Sequence, residues 1–328
     1  MRIYNVDFLR GLAVLMVLLV HASSSTIPWI EESPLHQIFE IGKYGVEVFF
    51  VISGYIICYS LFRSKYSLRS SFHFLAKRFI RINPPAYVIM IAYLLIELCT
   101  YLFTGNYLIL SDPFESKLLS TNLSFTASLF GTDYYIGPFW TLEVELQFYL
   151  TIAFIFPFLT HKLTFIRYLA LAGMLLLGAC TMPFALSEYV ACFLLGVAYF
   201  LLQNRFMNAT GFVVLLALIL SVFLINAQYF ELLFSSLSLL VITLKKPIKS
   251  AVFQYLGRIS YSLYILHIFV FMYLDVVLNR LNLNHLHTSI PTKVIVIIVY
   301  SGIAILFSHL FYLYVEKPFI AYSKKIKL

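Results

Sequence analysis

Short polar connections divide the chain into ten stretches of predominantly apolar residues, at 6–23, 44–62, 85–104, 138–159, 165–181, 186–202, 210–226, 229–244, 254–277 and 291–315. A helix rises 1.5 Å per residue, so about 20 such residues cross a hydrocarbon core of about 30 Å. Within lipid, every backbone N–H and C=O needs a partner in its own segment, and for runs of this length that means helix. The fold class expected is therefore all-α: a polytopic integral membrane helical bundle of about ten transmembrane helices.

Composition supports this and removes the alternatives. Of 328 residues, 61% are hydrophobic and 12% charged, where a soluble domain is about a quarter charged. Neither a soluble enzyme nor a disordered chain fits. The net charge of +8 is scattered between apolar runs, so it forms no groove for nucleic acid and reads instead as topology. With the N-terminus inside, only Lys43, Lys117, Arg280 and Lys293 of the 23 Lys and Arg lie on the outer side, as the positive-inside rule requires. Both termini are expected in the cytoplasm, and the protein in the cell's inner (cytoplasmic) membrane with lipids around it. Residues 1–328 read as a single transmembrane domain with no appended soluble domain, and nothing in them fixes an oligomeric state. Cys58, Cys99, Cys180 and Cys192 occupy apolar runs without paired spacing and read as small buried hydrophobes, so no metal site is expected. The longest connection, 105–137, has the length of a lid or acceptor-binding loop.

Ionisable side chains inside apolar segments are costly unless they face a cavity or a partner, which makes each a functional candidate. Arg10 and His21 stand 11 residues apart in the first segment; that is about three turns and about 16 Å, on one helix face. Arg78 and Arg81, three residues apart in the basic stretch before Pro84-Pro85, share a face as well and suit a phosphate-rich cytoplasmic cofactor. Glu143 and Glu145 open the fourth segment and Glu47 the second; a carboxylate against His21 would make that imidazole a competent base. His267 in the ninth segment reads equally as a structural hydrogen bond or a substrate contact. Glu97, Asp275, His309 and Glu316 read as interface or packing residues.

These residues fall within a series of motifs: Asp7-Phe8-Leu9-Arg10-Gly11 with His21, Gly45-Val46-Glu47-Val48-Phe49-Phe50, Arg78 and Arg81 before Pro84, Trp140-Thr141-Leu142-Glu143-Val144-Glu145, Gly257-Arg258-Ile259-Ser260-Tyr261 with His267, and Glu316-Lys317-Pro318. In that order they resemble the membrane-bound acyltransferase-3 family of bacterial and some eukaryotic O-acyltransferases. The resemblance implies transfer of an acyl group, usually acetyl, from acyl-coenzyme A (acetyl-CoA) to a hydroxyl of an envelope polysaccharide or lipid-linked glycan. It implies Arg10, Arg78 and Arg81 as donor-binding residues, with the pantetheine arm threading the bundle toward His21. His21 would be the base, assisted by a carboxylate, Glu145 ahead of Glu47, and Trp140, Glu143 and His267 would meet the acceptor. Leu146 stands where relatives commonly have a further acidic residue, which favours Glu145 over Glu143. A secondary transporter using His and Glu as a proton relay is the rival reading, but the related halves and broken midplane helices of such folds are not legible here.

Overall fold

The computed structural model describes residues 3–24, 38–179, 185–283 and 290–326, and every regular element among them is helical. Helix α1 (Tyr4–Ser24) is followed by a short turn (Ile41–Tyr44) that leads into α2 (Gly45–Arg63) and α3 (Ser71–Thr104). Helices α4 (Ser116–Ser124) and α5 (Ala127–Phe130) form an arm within the longest connection. Next come α6 (Phe139–Leu159), α7 (Thr164–Ala179), α8 (Ala185–Gln203), α9 (Ala209–Ile225) and α10 (Tyr229–Thr243). Helices α11 (Ala251–Arg258), α12 (Ser260–Arg280) and α13 (Ile290–Phe311) precede a π-helical turn at Tyr312–Glu316 and α14 (Lys317–Ser323).

Among the described residues, seven helices are long and apolar enough to cross a membrane, and α7, α9 and α10 are shorter apolar helices of 16, 17 and 15 residues. Two segments differ from the sequence expectation. The third starts well before residue 85, because α3 runs unbroken for 34 residues through Pro84 and Pro85, a length of about 51 Å. The prolines remove two backbone donors, and Tyr261 of α12 donates to the neighbouring Ile82 carbonyl at 2.5 Å, which pins the weakened stretch. Gly105, with φ +77, ends α3 by donating its N–H to Tyr101 O, the left-handed stop that glycine adopts most readily. The ninth segment is broken at Ile259 into α11 and α12. Cys58 and Cys192 are buried as expected, Cys99 is exposed near the C-terminal end of α3, and Cys180 lies outside the described residues.

Helix α1 sits at the centre, with Ala13, Val14, Val17 and Leu18 nearly inaccessible, and packs against α2, α10, α11, α12 and α13. Its near end is stitched by Asn5, which donates to Val241 O and Leu244 O at 3.2 and 2.9 Å and accepts from Ile248 N at 2.8 Å. Two crossings bring backbones into contact through glycine. A Cβ on Gly11 would lie 2.1 Å from Phe253 O, and one on Gly257 would lie 2.0 Å from Asp7 O, where α1 meets α11. The same geometry joins α2 to α8, through Gly54 against Phe193 O at 2.1 Å and Gly196 against Val51 O at 2.2 Å. Small residues allow helices to approach this closely in lipid, where packing replaces the hydrophobic drive.

The connection expected to be a loop is a folded arm. Asn122, 2% exposed, donates to Leu118 O and Asp133 O and accepts from Tyr135 N. Tyr87 of α3 donates to Leu123 O at 2.8 Å. The principal tether is Glu143 at the start of α6, whose carboxylate accepts from Ser128 N at 3.1 Å, Ser128 Oγ at 2.6 Å, Tyr134 OH at 2.6 Å and Gln147 Nε2 at 3.2 Å. Burial, and then the hydrogen bond to Glu143, hold the Tyr134 phenol above its ordinary range. Its contribution is therefore complete below the unfolded value of about 10 and is lost only as pH rises through the higher folded value.

Two outcomes follow. Gly54→Val or Gly196→Val forces backbones apart at a cost of about 1–3 kcal/mol or more, read as a lowered unfolding midpoint and loss of monodisperse protein in detergent. Gly302→Ala, where an added Cβ meets nothing within 4 Å, is the silent control. Glu143→Ala removes the hub of the arm at a cost of about 1–3 kcal/mol. Limited proteolysis then cuts residues 105–138 faster than in the wild-type protein, while the helices stay protected.

Candidate active site

Three helices and the residue after α14 bring six basic side chains to one cavity of about 930 Å³: Arg10 of α1, Arg63 of α2, Lys77, Arg78 and Arg81 of α3, and Lys324. A second cavity of about 370 Å³ shares Asp7, Arg10, Arg81 and Tyr261 with it and adds Arg258 and Glu316. The spacing of Arg78 and Arg81 does put both on one wall. Arg78 is held by ring faces, its guanidinium 5.5 Å from the Phe74 ring and 5.4 Å from that of Tyr149, a contact that orients the cation and leaves its donors available. Both Arg10 Nε and Arg78 Nε are buried without a hydrogen-bond partner. A cavity with more cationic than anionic groups and unused donors is built for a polyanion.

Two carboxylates balance the arginines. Glu145 lines the large cavity and accepts from Tyr149 OH and, at 3.4 Å, from Ser53 Oγ. Tyr149 follows it by four residues on α6, one turn along the same face. Glu316, expected to be a packing residue, is 4% exposed and reaches across to Ser262, accepting from its N–H at 3.2 Å and its Oγ at 2.5 Å. The π-helical turn that ends in Glu316 shifts the residue's angular position on the helix, a change that motif spacing does not reveal. Asp7, Arg81, Glu145 and Glu316 are all electrostatic neighbours of Arg10.

From this cluster a narrow cavity of about 70 Å³ leads inward, lined by Arg10, Ser53 and Glu145 at one end and by Phe49, Thr141 and Tyr264 at the other. The Tyr264 ring lies 6.0 Å from that of His267, and the His267 ring lies 5.1 Å from that of His21. His21 lines neither cavity; Tyr264 lines the narrow one and is the ring through which that cavity borders His267. Glu145 is at the level of Arg10, while His21 is about 16 Å further along α1. The structure therefore joins Glu145 to the arginines and not to the imidazole.

The remaining candidates are dispersed. Glu143 is 1% exposed and fully engaged in tethering the arm. Glu47 is 5% exposed, its Oε2 has no hydrogen-bond partner, and it faces Tyr189, Cys192 and Tyr264. Trp140 packs on Tyr189 and Phe50, with ring centroids 5.1 and 6.5 Å away. Glu97 receives Leu108 N at 2.7 Å, and Asp275 receives Tyr300 OH at 2.7 Å. His309 pairs with Tyr255 OH at 3.0 Å, so these three do serve packing.

A relative, Nodulation protein 10 of Rhizobium leguminosarum bv. viciae, is 32% identical over 164 residues, covering 45% of this chain. The match spans 42% of that protein's length. No solved structure matches. The model of the acyltransferase domain family matches residues 3–313, a range that takes in α1 with Arg10 and His21, the basic stretch of α3 and the α11–α12 break. With its apolar helices and its buried basic cavity, the chain is a multi-pass membrane protein and belongs to the acyltransferase-3 family.

Proposed function

We propose that this acyltransferase takes its acyl group from cytoplasmic acyl-coenzyme A, acetyl-coenzyme A in the simplest case, and passes it to a hydroxyl of an envelope glycan on the far side of the membrane. One observation carries the reading: a cavity of about 930 Å³ rich in Arg and Lys lies at the Arg10 end of α1, and His21 lies further along the same helix. Arg10, Arg78 and Arg81 bind the phosphates of the donor, with the ring-clamped Arg78 as the oriented member. The termini are cytoplasmic, and so is the mouth of this cavity. Glu145 keeps Arg10 and the inner wall ordered and acts at the donor end. The pantetheine arm then follows the narrow cavity past Ser53 and Thr141, and Tyr264 swings aside to admit the thioester.

His21 acts as general base. It accepts the proton of the acceptor hydroxyl while that oxygen bonds to the thioester carbonyl carbon. The C–S bond breaks, and the leaving thiolate takes up the proton, giving ester and free thiol. Holding both reactants on one path converts a bimolecular reaction into a local one, and the base adds its own factor. Trp140 and its aromatic neighbours face the acceptor side, and the tethered arm frames it.

Labelled acetyl-coenzyme A offered to inside-out membrane vesicles tests the reading. His21→Ala is expected to cut transfer by about 10²–10⁴-fold while the protein inserts normally; undiminished transfer would remove His21 from the mechanism. Arg78→Ala with Arg81→Ala loses charge-assisted bonds to phosphate and raises the donor KM by about 10–100-fold with kcat largely kept. A donor KM equal to wild type would refute the phosphate role.

A further inference from the structure

We infer that His267 is a positioning residue for His21, supplying through its Nε2 the acceptor that orients the catalytic imidazole. The inference rests on the reading of His21 as base and assigns His267 a different part from that of an acceptor-binding side chain.

The tautomer follows from its surroundings. His267 Nδ1 lies 3.0 Å from Leu263 O, and a carbonyl oxygen only accepts, so Nδ1 carries the hydrogen. In the neutral ring that leaves Nε2 with a lone pair and no hydrogen. Nε2 is buried and has no hydrogen-bond partner, whereas a purely structural histidine would be better replaced by an apolar side chain once its Nδ1–H bond is accounted for. Direct contact with substrate is equally ill-suited, because His267 is 1% exposed and lines none of the three polar cavities. Its ring neighbours are His21 at 5.1 Å, Phe271 at 5.9 Å and Tyr264 at 6.0 Å. Of these, only His21 offers a ring N–H. His21 is also the more accessible of the two histidines.

The arrangement has the logic of a base held by a third group, with a neutral imidazole in the place usually taken by a carboxylate. One His21 nitrogen donates its N–H to His267 Nε2, which fixes the tautomer in which the other nitrogen is the one that takes the hydroxyl proton. When that nitrogen takes the hydroxyl proton, the charge on the His21 ring strengthens the N–H···Nε2 bond, and the proton later leaves with the thiol. Catalytic hydrogen bonds of this kind are commonly loose before substrate is bound and tighten in the complex. Glu145, held at the level of Arg10, does not take this place.

The test compares two replacements in the full-length protein in vesicles. His267→Gln keeps a polar atom where Nε2 was, while His267→Asn keeps only the Nδ1-side donor for Leu263 O. Expected are a kcat within about tenfold of wild type for His267→Gln and a loss of about 10²-fold or more for His267→Asn, with donor KM and unfolding midpoint unchanged in both. Wild-type kcat in His267→Asn, or equal losses in the two variants, would overturn the inference. If either variant fails to fold, ¹⁵N spectra of labelled histidine in the wild-type protein decide: an unprotonated His267 Nε2 supports the proposal, and an Nε2–H tautomer ends it. His21→Ala separates the two layers. Retained transfer in that variant overturns the base and its partner together, whereas a dead His21→Ala beside a fully active His267→Asn overturns the partner alone.

Discussion

The backbone contact between α1 and α11 governs the placement of everything else. Gly11 against Phe253 O and Gly257 against Asp7 O leave no room for a side chain on either helix. The crossing therefore has one register, and a shift of one residue would drive a Cβ into a carbonyl. Because α1 carries Arg10 and His21 on one stripe, fixing its rotation fixes both at once. The α2–α8 crossing does the same for the opposite wall, holding Val51 and Gly54 against Gly196 and so fixing Ser53 on the cavity. In lipid, apolar side chains gain nothing from leaving water, so close van der Waals packing and hydrogen bonds supply this precision.

The charges form the second layer. A buried cation or carboxylate is tolerated when it is paired, solvated by a cavity or placed against a π face. Arg78 uses the rings of Phe74 and Tyr149. Glu145 is bound by Tyr149 and Ser53, and Glu316 by Ser262. The basic excess is thus gathered in one hollow instead of being neutralised pair by pair, which leaves an electrostatic demand that a polyanionic ligand satisfies.

Hydropathy made the apolar helices legible because each had to contain its own backbone bonds, and the 11-residue spacing of Arg10 and His21 placed them on one face. What stayed hidden depends on partners from other segments. Pro84-Pro85 suggested a helix boundary, yet α3 passes through it with support from Tyr261 on a distant helix. The single-residue break at Ile259 sits between Gly257-Arg258 and Ser260, polar punctuation that the hydropathy of the longer stretch masked. Nothing along α6 shows that Glu143 faces Ser128 and Tyr134 while Glu145, two residues on, faces the arginines; their divergence was readable, their destinations were not. Tyr149 and Tyr264 are two of 24 tyrosines, and nothing along the chain marks their places beside Arg78 and His267. Glu316 does pack across to Ser262, but its place in the cavity wall with Arg10 and Arg81 was not readable from the motif.

The separation of the arginine cavity from the histidine pair has its own physical sense if, as proposed, donor and acceptor lie on opposite sides of the membrane. An open channel lined by His and Glu between the cytoplasm and the exterior would conduct protons and admit water to the thioester. With a cavity of only about 70 Å³ that ends at a tyrosine ring 6.0 Å from that of His267, the arginine cavity and the histidine pair are separate. In this reading, donor binding at the arginines provides the free energy for moving that ring, and a ligand shifts such an equilibrium only by its preference for the open state. On the proposed function, the phosphates remote from the reacting carbon would thus do more than anchor the donor: their binding would couple the presence of coenzyme A inside to access to the base.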